Sequence, residues 1–130
     1  MSAMAFREPN QVKWVGTRPG HNGEQVAKLG SAEGGTTIIH TVTLGKTFFL
    51  SALSYTSFSD ATPITMGVLV RNGADVHQYS LIHELVALAH TNAFGMSYPV
   101  PVEIPAGYDI CAHSSGATGR ASACIHGWEE

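Results

Sequence analysis

From residue 37 onward, apolar and polar positions mostly alternate with the two-residue period of strands rather than the 3.6-residue period of helices. TIIHTVTL (37–44) is rich in β-branched residues and carries no helix signal. TFFLSALSYTSF (47–58) is partly apolar on both parities, with Phe48, Leu50 and Ala52 on one and Phe49, Leu53 and Tyr55 on the other. That pattern predicts a central strand of a sandwich, with Gly45-Lys46 before it as a tight turn. PITMGVLVR (63–71) predicts a third strand, led by Pro63 where a strand can begin, and Asn72-Gly73 after it is a hairpin signal. VHQYSLIHELVAL (76–88) has some helical spacing, but its Val, Tyr and Ile favour a strand, with HTNAFG (90–95) as the loop that follows. MSYPVPVEI, YDICAH and RASACIHGW are further strands, and VKWVG and EQVAKLG are shorter candidates near the start.

Eight or nine short strands with turn signals between them predict an all-β fold, a jelly-roll-like antiparallel β-sandwich of about eight strands. Residues 1–35 differ from the rest. Pro9, Pro19 and glycines at 16, 20, 23, 30, 34 and 35 give them the composition of loops. They read either as an extended N-terminal arm lying across a neighbouring subunit or as a partly ordered terminus, which leaves 36–130 as the sandwich domain.

YPVPVEIPAGYDI (98–110) is the oddest strand candidate, because proline donates no backbone hydrogen bond. Pro99, Pro101 and Pro105 share one parity, so their missing donors face one side, while Val100, Val102 and Ile104 form an apolar row. The segment therefore predicts an edge strand that pairs on one side only and ends in a Pro-Ala-Gly turn.

Composition narrows the function. Only 13% of the 130 residues are charged, against a usual ~25%. Ser, Thr, Gly, His and Asn, or a partner, must then cover the surface. Net charge is −3 and Lys and Arg do not cluster, which argues against a nucleic-acid footprint. No apolar run approaches the ~20 residues of a membrane helix, and MSAMAFREPN lacks a signal-peptide layout, so synthesis in the cytoplasm is expected. Two cysteines make no disulfide framework. DICAHSSGATGRASACIH reads as two strands around a turn in which Cys111 faces Cys124 and Ile110 faces Ile125. That register leaves two readings, a pair of free buried thiols or a cross-strand disulfide.

Catalytic signatures are missing from the pattern. In HELVALAH the zincin motif would need a second His where Ala87 stands, and His21, His40, His77, His113 and His126 are scattered. A metal on a symmetry axis would need only one His per subunit. Cys111 and His113 share a strand face and lack an orienting third group. Asp60, Asp75, Glu84, Glu103 and Asp109 show no paired-acid signature. No catalytic, cofactor-binding or metal residue is assigned, and a non-enzyme is expected. Trp14, Tyr55, Tyr98, Tyr108 and Trp128, with Tyr79 beside them, are candidate glycan- or partner-contact aromatics whose other role is core packing.

GKTFFLSALSYTS (45–57), YPVPVEIPAGYDI and the terminal ASACIHGWEE together resemble small jelly-roll virion proteins of tailed bacteriophages: capsid decoration or cement proteins and related tail or fibre knobs. The resemblance spans about 36–130 and rests on structural patterns. It implies a virion component made in the host cytoplasm. Such a protein would be a homo-oligomer, most simply a trimer, bound to a major capsid or other virion protein, with no nucleic acid, membrane or cofactor. The alternatives are a tail-fibre knob that binds a carbohydrate or receptor, and a hydrolase using dispersed acids.

Overall fold

A computed structural model of the chain describes residues 23–59, 63–86 and 90–130. Eight strands run through them: β1 (Glu24–Ala32), β2 (Gly35–Thr41), β3 (Phe48–Ser59), β4 (Ile64–Arg71), β5 (His77–Val86), β6 (His90–Ile104), β7 (Asp109–Ser114) and β8 (Gly119–Glu129). They form two antiparallel four-stranded sheets, ordered β1-β8-β3-β6 (sheet 1) and β2-β7-β4-β5 (sheet 2). The pairs nest: β4 with β5, β3 with β6, β2 with β7, β1 with β8. A long two-stranded ribbon has thus been wrapped around a core, which is the jelly-roll arrangement.

The two sheets enclose Phe48, Leu50, Leu53, Tyr55, Met66, Val68, Val70, Ile104, Ile110 and Ile125, all 2% exposed or less. β3 is central, paired with β6 and β8. Its apolar character on both parities has a second cause. The register slips between Leu50 and Ala52, so residues of opposite parity, Leu50 and Leu53, both point inward.

Several expectations are revised. EQVAKLG is β1, paired with β8 along its whole length, so the sandwich begins before residue 36; VKWVG and Trp14 lie outside the described residues. Gly45-Lys46 does not close a hairpin. β2 and β3 belong to different sheets, and the chain crosses between them there. HTNAFG is strand, the start of the 15-residue β6. The Asn72-Gly73 hairpin forms between β4 and β5, but its left-handed residue is Asp75 (φ 61°). Asn72 organises the loop, its side-chain oxygen accepting from the N–H groups of Ala74 (2.9 Å) and Val76 (3.0 Å).

β7 and β8 also lie in different sheets, so Cys111 does not face Cys124, and both thiols are free. Each strand has one apolar face, Ile110 and Ala112 on β7 and Ala121, Ala123 and Ile125 on β8. Those faces are buried by opposing each other across the core.

β6 is an edge, as the prolines predict, but the backbone there is not regular. Ser97 pairs with Ala52 and Val102 with Leu50, so Tyr98–Pro101 make a four-residue excursion opposite the single residue Ser51. Pro99 and Pro101 sit in that bulge, outside the ladder. The excursion turns Val100 outward to 82% exposure, and only Val102 and Ile104 of the expected apolar row reach the core. Pro105-Ala106-Gly107 is a turn closed by Tyr108 N–H to the Pro105 carbonyl (3.2 Å), with Gly107 at φ 80° as a type II turn requires.

The other three edges are blunted too. β2 carries a bulge at Ile39, and β1 and β5 each point a charged residue inward, Lys28 and Glu84, a known protection of edge strands.

Candidate interaction surface

Strand alternation decides what sheet 1 shows outside. Across β1, β8, β3 and β6 the central rows read Ser31-Ser122-Thr56-Ala93, Leu29-Cys124-Ser54-Gly95 and Ala27-His126-Ala52-Ser97. None of these residues is Asp, Glu, Lys or Arg, and most are small. The Ser31 and Ser122 hydroxyls satisfy each other at 2.7 Å, and Leu29 stands 73% exposed. Charges appear only beyond these rows. At one end Arg120 is paired with Glu33 (3.1 Å) beside an open cleft of about 360 Å³ that also involves Phe58 and the β7–β8 turn. At the other end, Phe49 and Trp128 stack (5.3 Å, 12°) next to Glu103 and Glu130.

Near the centre of this face, Cys124 Sγ and His126 Nε2 lie 3.4 Å apart. They are two residues apart on β8, so both project from the same side. Cys124 is flanked by Leu29 and Ser54, and His126 by Ala27 and Ala52.

The sequence-predicted aromatics separate into three groups. Tyr55 is 1% exposed and belongs to the core. Its hydroxyl donates to Glu84 Oε1 (3.0 Å), and burial, followed by the Glu84 charge, pushes its pKa far up. Trp128 is 8% exposed under Phe49, its indole N–H donating to Glu130 (3.0 Å). Tyr98 and Tyr108 are half-buried and lie near Tyr79 of β5, whose pKa is raised by burial and then by the proximity of Tyr108 and Tyr98. This trio sits at the β5–β6 side of the sandwich. Exposed Leu44, Val76 and Val100 lie on the loops and bulge at the same end of the molecule.

The described carboxylates have separate surroundings, apart from one pair. Asp75 and Asp109 are joined by Arg71 between them, each oxygen 3.4 Å from Nη2, and Asp109 also accepts from Thr41 (2.6 Å). Glu84 is engaged by Tyr55, Ser57 and Asn92, Glu103 is exposed on sheet 1, and Asp60 lies outside the described residues. Cys111 is fully buried on the other sheet; burial raises its pKa while Arg71 opposes the rise. His113, its strand neighbour, hydrogen-bonds Thr36 (3.0 Å) instead. Among the described residues, no group of three or more His, Cys, Asp or Glu is placed to hold a metal ion.

One constellation has no signal in the sequence. His40 (5% exposed) hydrogen-bonds Glu129 (2% exposed) through Nε2 at 2.6 Å and Lys28 Nζ through Nδ1 at 2.9 Å. A lysine ammonium only donates, so Nδ1 accepts, and the ring proton sits on Nε2 and is donated to Glu129. Burial opposes the Glu129 charge, but hydrogen bonds from Thr43 and His40 outweigh it and lower its pKa. The three residues are 12 and 89 positions apart and join β1, β2 and β8, tying the two sheets together at the β1–β2 edge.

No family model and no curated protein matches this sequence.

Proposed function

We propose that this chain is a non-enzymatic structural protein that works by surface association, forming homo-oligomers and coating a repetitive particle as the virion decoration proteins it resembles do. The observation that carries this reading is the uncharged outer face of sheet 1. A solvated sheet face ordinarily carries many charges, whereas depletion of charge marks the core of an interface. Four strands at ~4.8 Å and the nine residues Arg120–Trp128 of β8 at ~3.3 Å give a face of roughly 570 Å², its uncharged centre rimmed at each end by a row that carries charged side chains. Two such faces bury roughly 1,100 Å², just above the ~1,000 Å² floor for a specific contact. A flat face of this kind pairs copies two by two. A trimer, if it forms, uses other surfaces.

Ser54→Arg tests the reading. It places a charge at the centre of the face without touching the core. Light scattering at micromolar concentration should show an oligomer that the variant dissociates, and the wild-type protein should co-sediment with the particles of its source virus. A wild-type monomer that stays in the supernatant overturns the proposal. A second reading, a glycan-binding knob, is favoured by the proximity of Tyr98 and Tyr108 to Tyr79, since aromatic faces stack on sugars.

A further inference from the structure

We infer that the outer face of sheet 1 carries half of a metal site, the Cys124–His126 pair, which two copies of the chain complete around one zinc-class divalent cation. The inference rests on the association reading of this same face and names what sits at its centre.

Geometry is the first argument. Zinc binds cysteine sulfur at ~2.3 Å and histidine nitrogen at ~2.0–2.1 Å with tetrahedral angles, which places the two ligand atoms about 3.6 Å from each other. Cys124 Sγ and His126 Nε2 are 3.4 Å apart. The pair is therefore set at the bite of a tetrahedral site before any metal arrives.

The neighbours supply the second argument. Leu29, Ala27 and Ala52 offer no side-chain donor atom, and Ser54 offers only a neutral hydroxyl. The two remaining coordination positions point away from the sheet, toward whatever covers it. A second copy related by a twofold axis brings its own Cys124 and His126, giving a Cys2His2 set. The spacing agrees. A cysteine ligand holds its Cα roughly 5 Å from the metal, so two sheets sharing one ion lie roughly 10 Å apart, the distance at which sheets pack face to face. Leu29, 73% exposed in the single chain, is then covered.

Charge is the third. On binding, each Cys124 thiol gives its proton to solvent while His126 binds as the neutral ring through Nε2. Two thiolates cancel the 2+ ion, so the completed site is neutral and suits a face without charged side chains. Sequence spacing alone does not reveal this site, because each chain contributes only two ligands and Cys111–His113 has the same spacing without the exposure.

The test uses the full chain, stripped with chelator and kept in a thiol-free reductant. Zinc chloride titration should saturate at one ion per two chains and double the mass of the scattering species. Cobalt(II) in its place should give the thiolate charge-transfer and strong visible bands of a tetrahedral site. Cys124→Ser and His126→Ala should each weaken metal binding at least a hundredfold, whereas His113→Ala should leave it unchanged. One zinc per chain with no change in mass, or undiminished binding in Cys124→Ser, overturns the inference. So does pairing only through a reductant-sensitive disulfide. Pairs that form without zinc and are dissociated by Ser54→Arg would sink the metal site while sustaining the association reading.

Discussion

Replacing Glu129 with glutamine isolates the contribution of charge in the Lys28–His40–Glu129 chain. Glutamine keeps the shape and an oxygen that can still accept from Thr43 N–H and His40 Nε2–H, now at 3.1 and 2.6 Å. What disappears is the negative charge that makes both bonds charge-assisted. Such bonds contribute about 1.5–3 kcal/mol each, against about 1 kcal/mol for neutral ones. Two downgraded bonds, less the relief of not burying a charge, leave a net loss of about 2 kcal/mol at pH 7. With a urea m-value near 1.5 kcal/mol/M for a chain of this size, the midpoint should fall by about 1.3 M. The pH dependence carries the sign. The folded pKa of Glu129 lies below the ordinary range of a glutamate. Its contribution is thus fully present above the unfolded pKa and is lost as pH falls through the folded one. Urea melts of both proteins from pH 7 down to pH 3 should show wild type losing its advantage below about 4.5 and the two midpoints converging. A constant gap across that range would refute the reasoning, because the charge could not then be its source.

The remaining predictions concern backbone approach and the tyrosine cluster. A Cβ on Gly127 would lie 2.1 Å from the Phe49 carbonyl oxygen and 2.8 Å from the Phe48 ring, so Gly127→Ala should cost about 3 kcal/mol or more and lower Tm by well over 5 °C in a thermal melt. Gly35, with open space around its own Cβ position but φ 101°, should cost less when changed to Ala, and a larger loss than at Gly127 would contradict the packing account. If the knob reading holds, Tyr108→Ala should abolish binding on a glycan array while light scattering shows an unchanged oligomer. Retained glycan binding would remove the tyrosines from the site.

The all-β class, the strand set and the edge position of β6 were legible in the sequence because they rest on local chemistry. Period-2 alternation, β-branched runs, Asn72-Gly73 and the prolines act within a few residues of where they stand. Low charge likewise showed that the surface would be unusual. What the chain could not reveal was which sheet each strand enters. β7 and β8 look like a hairpin because they are adjacent and both half-apolar, and only burial across the core separates them. The bulges at Ser51 and at Tyr98–Pro101 were hidden for a related reason: they re-phase side chains to fit a shape that facing sheets impose. Lys28, His40 and Glu129 meet only because nested pairing brings the first strand beside the last. The candidate face has the same origin. Its residues are unremarkable singly, and the absence of charge becomes a surface only once β1, β8, β3 and β6 lie side by side. Alternation along a strand is set by the covalent chain, whereas neighbours across strands are set by where apolar faces find each other, and that choice belongs to the whole fold.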